Sequence, residues 1–180
     1  MNAPSKSRRW QDGDSALPDL DALFERRPDE GIYRVDRSIY TDPALLDWEL
    51  SQIFEGSWIF LCHESQVPNP YDFITMSMGR RPVFIQRDAE QQINAFINAC
   101  SHRGAQLCRT TQGNRKFHVC TYHGWTFDAK GKAVWVQRQE QGYTEEFSTE
   151  QVALEPVARV ENYRGFVFGS LNPDVPSLAE

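Results

Sequence analysis

The spacing of apolar residues changes character near Trp58. Before it, Leu46, Leu50, Ile53 and Phe54 recur at i, i+4, i+7 and i+8, the mark of one helical face. Thr41 or Asp42 suits the cap, Pro43 the first turn and Gly56 the stop. A helix is therefore expected over 41–57, packing through that face. Further upstream, Pro18, Leu20, Leu23 and Phe24 predict a short helix over Leu17–Phe24, broken at Arg26–Glu30. Ile32–Tyr40 reads as a linker or short strand. Residues 1–15 are polar and aperiodic, and are expected to be disordered.

From Trp58 the period is two. Trp58–Cys62 reads as a buried strand, and Ile74, Met76 and Met78 alternate with polar residues. Three hairpins are predicted: Pro82–Arg87 with Gln92–Asn98, Trp125–Phe127 with Ala133–Val136, and Val157–Tyr163 with Gly165–Leu171. Phe117 and Val119 lead into Cys120. Short strands with turns every ~8–12 residues predict a mainly β domain, an antiparallel sandwich or small barrel. The expected organisation is an N-terminal extension over 1–40, the helix over 41–57, the β domain over 58–172, and the start of a Pro-containing linker over 173–180.

Composition narrows the function. Hydrophobic residues make up 40% and charged residues 24%, ordinary for a soluble globular chain. The net charge of −6 opposes nucleic-acid binding, which needs a basic face. No apolar run approaches the ~18 residues of a membrane span. Arg8 and Arg9 are not followed by an apolar export segment, so a cytoplasmic setting is expected. That setting argues against disulfides among the four cysteines. Cys62 and Cys108 are expected to be free, buried thiols.

The other two cysteines carry the chemistry. The chain reads Cys100-Ser-His102-Arg103-Gly104, then Cys120-Thr-Tyr-His123-Gly124-Trp125. Thiolate with imidazole suits zinc, copper or iron–sulfur. Zinc fingers usually pair Cys with Cys and His with His, whereas both pairs here are mixed. Mixed pairs suit two loops closing on a flat two-iron cluster, Cys100 and Cys120 on the inner iron, His102 and His123 on the outer, which is the Rieske [2Fe–2S] arrangement. A zinc-stabilised binding module remains the alternative from another class. Gly104 and Gly124 would let backbone approach the cluster, and backbone N–H groups there would tune its sulfurs. Trp125 would shield it from water or serve as a plain core aromatic. Arg103 would pair with a carboxylate on another domain or subunit, or stay a solvated charge. His118 shares a strand face with Cys120 and is expected to be an ordinary satisfied or surface histidine. His63 reads as a hydrogen-bonding anchor.

Cys100-Ser-His-Arg-Gly-Ala105 and Cys120-Thr-Tyr-His-Gly-Trp125 resemble the N-terminal Rieske domain of aromatic-ring-hydroxylating dioxygenase large (alpha) subunits. The likeness extends over Tyr33–Ser177. Ile53–Ile59, His63–Pro68, Met78–Pro82 and Tyr163–Leu171 are similar to the benzoate, anthranilate and 2-halobenzoate group in particular. The resemblance implies a reductase or ferredoxin as electron donor, beta subunits and neighbouring alpha subunits as partners, and dihydroxylation of an aromatic carboxylate such as benzoate. It also implies a mononuclear Fe(II) in a C-terminal domain, held by two histidines and a carboxylate. His63 and His118 are the only unassigned histidines, so these 180 residues are expected to relay electrons and not to hydroxylate. The family's respiratory relatives carry an extra cysteine in each motif. Here one of those places is Ala105 and no cysteine lies between Cys120 and His123, which implies a low potential within the Rieske range. A self-standing Rieske ferredoxin is the second reading, and the first 60 residues speak against it.

Overall fold

A computed structural model describes residues 19–179. The disorder expected of residues 1–15 and the helix start at Leu17 and Pro18 fall outside them. The chain divides into two compact units, at Ile53 and Phe54.

In the first unit, strand β1 (Phe24–Arg27) pairs antiparallel with β2 (Ile32–Val35). The expected Leu17–Phe24 helix is corrected over its described residues: these hold a single 3-10 turn, at Asp21–Leu23, and Phe24 enters the strand. Pro28 and Gly31, the latter at φ 69°, close the hairpin. Strand pairing then satisfies backbone groups that a helix this short leaves open. Helix α1 (Pro43–Glu49) begins as its sequence predicts. Asp42 accepts a 2.8 Å hydrogen bond from the Ala44 N–H, and Pro43 stands in the first turn. Its predicted face does not hold. Leu45 is the buried position, whereas Leu46, Ile53 and Phe54 are about half exposed. Beyond Glu49 a π turn over Leu50–Phe54 breaks the 3.6-residue phase, so Ile53 and Phe54 do not continue the face begun by Leu46.

The second unit stacks three antiparallel sheets. The middle sheet has the order β6 (Ile93–Ile97), β5 (Arg81–Arg87), β4 (Asp72–Met78), β7 (Gln112–Asn114). On one face, Val83, Ile85, Met78, Ala95 and Ile97 pack with Leu61, Cys62 and Val167. These last come from the sheet of β3 (Ile59–His63), β12 (Phe166–Ser170) and β11 (Arg159–Tyr163). On the other face, Phe73, Phe84 and Phe96 pack with Phe127 and Ala133. Those two belong to the small sheet of β8 (Phe117–Val119), β9 (Thr126–Asp128) and β10 (Ala133–Trp135).

All three predicted hairpins form, as β5–β6, β9–β10 and β11–β12. The buried strand at Trp58–Cys62 is only half buried. Leu61 and Cys62 point inward, while Phe60 is 45% exposed and meets Phe166 and Phe168 on the outer face. The stretch 173–179, read as linker, is hydrogen-bonded along the domain. Trp58 Nε1 donates to the Pro176 carbonyl (2.8 Å), and Leu178 N–H to Glu161 Oε2 (3.0 Å).

Candidate metal centre

Two loops of one design hold the four predicted donors. In the first, Cys100 N–H donates to the Ala105 carbonyl (2.8 Å), and Gly104 N–H to the Cys100 carbonyl (2.7 Å). In the second, Cys120 N–H donates to the Trp125 carbonyl (2.8 Å), and Gly124 N–H to the Cys120 carbonyl (2.9 Å). Both loops turn back on a glycine in the left-handed region, Gly104 at φ 73° and Gly124 at φ 71°. The glycines are thus required by the backbone itself. At Gly104 no protein atom lies within 4 Å of where a Cβ would stand.

The loops place thiols inside and imidazoles outside. Cys100 and Cys120 are buried in the apolar cluster of Phe73, Phe84 and Phe96. Burial pushes the Cys100 thiol up, the neighbouring Cys120 adds to this, and the backbone N–H groups of His102 and Arg103 pull it down. His102 and His123 are half-buried, with ring centroids 4.8 Å apart. Burial lowers the His102 pKa, helped by His123 and Arg103. Trp125 is buried and stacks on His102, 4.7 Å between centroids and 9° between planes. Arg103 is exposed.

Two features show that the donors fit a metal group. His123 Nδ1 is buried and has no hydrogen-bond partner, a state that native proteins rarely leave uncompensated. The free thiols of Cys100 and Cys120 both lie in the apolar cluster, and a bound cation would take both as thiolates.

Sequence reasoning missed the surroundings. A cavity of about 280 Å³ opens beside the imidazoles, lined by His102, His123, Trp125, Gln137, Arg138 and Tyr143. Tyr143 and Phe147 flank Trp125, each 6.3 Å from it between centroids, and Ser101 Oγ donates to the Val152 carbonyl (2.6 Å). The segment after β10 thereby straps down the first loop at Ser101 and the second at Trp125. Its polar composition carries no periodic signal that would have marked this.

The remaining histidines and cysteines are structural. His63 Nδ1 lies 2.8 Å from Ser65 Oγ and caps the turn Glu64–Gln66, the anchoring role expected. His118 is fully buried and satisfied: Nε2 lies 2.8 Å from Gln86 Oε1, and Nδ1 lies 3.2 Å from Cys108 Sγ. Burial pushes its pKa down to about 4, with Arg115 contributing. Cys62 and Cys108 are free and buried, as expected. Burial raises their thiols to about 11 and about 12, against the nearby charges of Arg87 and Arg115.

Comparison with known proteins agrees with this geometry. The profile of the Rieske [2Fe-2S] domain matches residues 57–163. The alpha subunit of toluate 1,2-dioxygenase from Pseudomonas putida is 50% identical over 163 residues, 89% of this chain and 36% of its own length. The 2-halobenzoate 1,2-dioxygenase large subunit of Burkholderia cepacia is 48% identical over 93% of this chain and 37% of its own length. Among solved structures, naphthalene 1,2-dioxygenase from Rhodococcus sp. bound to indole superposes with a TM-score of 0.76 at 35% identity, over 80% of this chain and 33% of that one. A quaternary ammonium Rieske monooxygenase superposes with a TM-score of 0.72 at 30% identity, over 79% of this chain and 38% of that one. The chain thus spans a little over a third of the length of these curated relatives. Matching loops, inward thiols, outward imidazoles and these likenesses agree: the chain belongs to the Rieske [2Fe-2S] domain family, in the form similar to that of aromatic-ring dioxygenase large subunits.

Proposed function

We propose that Cys100 and Cys120 hold the inner iron, and His102 and His123 the outer iron, of a Rieske [2Fe–2S] cluster that serves an aromatic-ring-hydroxylating dioxygenase. The carrying observation is the pair of matched loops with an unpartnered, buried His123 Nδ1 between them. When bound, such a cluster accepts and passes on one electron at a time. The protein's own part is positioning and insulation. The phenylalanine cluster keeps water from the thiol side, and Trp125 fixes the His102 ring. The imidazole edges meet the cavity, so that side is the path for electrons in and out.

The reading extends to the whole assembly. The donor is a reductase or ferredoxin, and the acceptor is a mononuclear iron held by residues other than these 180. His63 and His118 are committed to structural bonds and supply no second donor set. The substrate class is an aromatic carboxylate such as benzoate, supported by the toluate and halobenzoate relatives. Neighbouring alpha subunits and a beta subunit are partners. The solved quaternary ammonium monooxygenase is described as showing inter-subunit electron transfer, which supports that arrangement. Among the described residues no helix is long and apolar enough to cross a membrane, and the free, buried thiols of Cys62 and Cys108 support a cytoplasmic setting.

The test is metal and sulfide analysis of anaerobically purified chain. About two irons and two acid-labile sulfides per chain are expected, with nitrogen hyperfine coupling from two imidazoles in the reduced spectrum. Stoichiometric zinc without sulfide would overturn the proposal.

A further inference from the structure

A chain of hydrogen bonds through Asn98, Cys108, His118 and Gln86 runs between the two loops. Asn98, two residues before Cys100, accepts at Oδ1 from the N–H groups of Leu107 (3.2 Å) and Cys108 (2.9 Å). Its Nδ2 donates to the Cys108 carbonyl (2.8 Å). The Cys108 sulfur lies 3.2 Å from His118 Nδ1, and His118 stands two residues before Cys120. Gln86 holds the far side of the imidazole.

The tautomer follows from the partners. Gln86 Nε2 faces two carbonyls, those of Arg115 (2.6 Å) and Tyr71 (3.3 Å), so its Oε1 is the atom facing His118. An amide oxygen only accepts, so His118 carries its proton on Nε2 and donates to Gln86. Nδ1 is then a bare acceptor, and the Cys108 S–H donates to it. Phe73 and Phe84 grip the ring, at centroid distances of 5.3 and 4.8 Å. A phenylalanine would fill the same space. The polar atoms give direction and a specific partner besides packing.

We infer that the Cys108–His118 hydrogen bond is a brace between the two loops, positioning Cys120 against Cys100 for the metal group. The first loop is tied to the brace through Asn98 and the second through the short run from His118 to Cys120. Gln86 fastens the whole to the middle sheet. His118 and Cys108 are positioning residues and touch no iron. The inference rests on the cluster reading of the four donors.

The test uses the cluster-loaded chain and the variants Cys108→Ala and Cys108→Ser. Readouts are the paramagnetic spectrum of the reduced centre, its midpoint potential, and the rate of iron release to a chelator. Circular dichroism checks the fold at the same temperature. Cys108→Ala is expected to alter the spectrum and midpoint and to release iron about five-fold faster while still folded, by loss of one buried hydrogen bond. Cys108→Ser, whose hydroxyl donates to the same nitrogen, restores the wild-type spectrum and slows release again. Should Cys108→Ala not fold, Cys108→Val fills the thiol's space without a donor and takes its place. An alanine or valine variant matching wild type in spectrum, midpoint and release overturns the brace. So does a serine variant no better than alanine. Failure of the underlying cluster reading shows separately, as wild-type chain without iron and sulfide.

Discussion

Gly104 and Gly124 do the same conformational job and differ in what surrounds them. Both hold a positive φ near 70°, which costs an L-residue about 1–2 kcal/mol. A Cβ at Gly104 would meet open space, whereas one at Gly124 would stand 3.1 Å from Trp135 Cζ3. Gly104→Ala should therefore lose only the conformational term, about 1 kcal/mol. Gly124→Ala should lose more, because the Trp135 ring must move. Urea unfolding of the two variants side by side measures the difference. Equal losses would mean that Trp135 yields freely and does not back the second loop. At this scale the sequence was read with the right residues and an incomplete reason. Close approach to a bound group was expected, and the positive φ is sufficient without it. Backbone conformation has no direct signature in a residue's identity, so Gly in a turn admits both readings.

Strand β5 is the element on which the domain's layers depend. It turns Phe84 to the cluster side and Val83 and Ile85 to the opposite core. Phe84→Ala should thus cost about 3–5 kcal/mol. Phe166→Ala, on an outer face where Phe166 is 49% exposed, should cost under about 1 kcal/mol. Chemical denaturation midpoints decide this, and similar losses would mean that β12 is covered as fully as β5. Much at this scale was legible. The hairpins were, because each joins two runs of alternating residues across a short turn. The two loops that carry the Cys/His pairs were, because each pair lies within one short run of sequence. What escaped were features without local period. The phase of α1 was lost in its π turn. The roles of Gln86 and Asn98 were invisible because their partners lie 32 and 10 residues away, at His118 and Cys108. A polar residue ending an apolar run, as both do, is the signal that would have flagged them.

On the scale of the whole molecule, charge is unevenly spread along the chain. From Cys100 to Arg138 there are seven Lys and Arg against a single Asp, a balance of +6 in a chain whose total is −6. One of the seven, Lys130, is taken up by Glu90 at 2.9 Å. Arg103 adjoins His102 in sequence, and Arg138 lines the cavity where the imidazole edges emerge. The segment that bears the donors is thus basic within an acidic protein. Such a field attracts an acidic electron donor and repels further copies of basic partners. The rate at which a small, strongly acidic iron–sulfur donor reduces the loaded domain should fall as salt rises from about 0.01 M to about 0.5 M, over which the screening length shrinks from ~30 Å to ~4 Å. Arg103→Glu combined with Arg138→Glu should slow that reaction about ten-fold at low salt, in line with the gains that steering provides. The same double variant should leave the high-salt rate nearly unchanged, because screening has by then removed the attraction. Stopped-flow absorbance follows all of these rates. A rate that is flat or rises with salt would place the docking surface away from the His102 side of the domain.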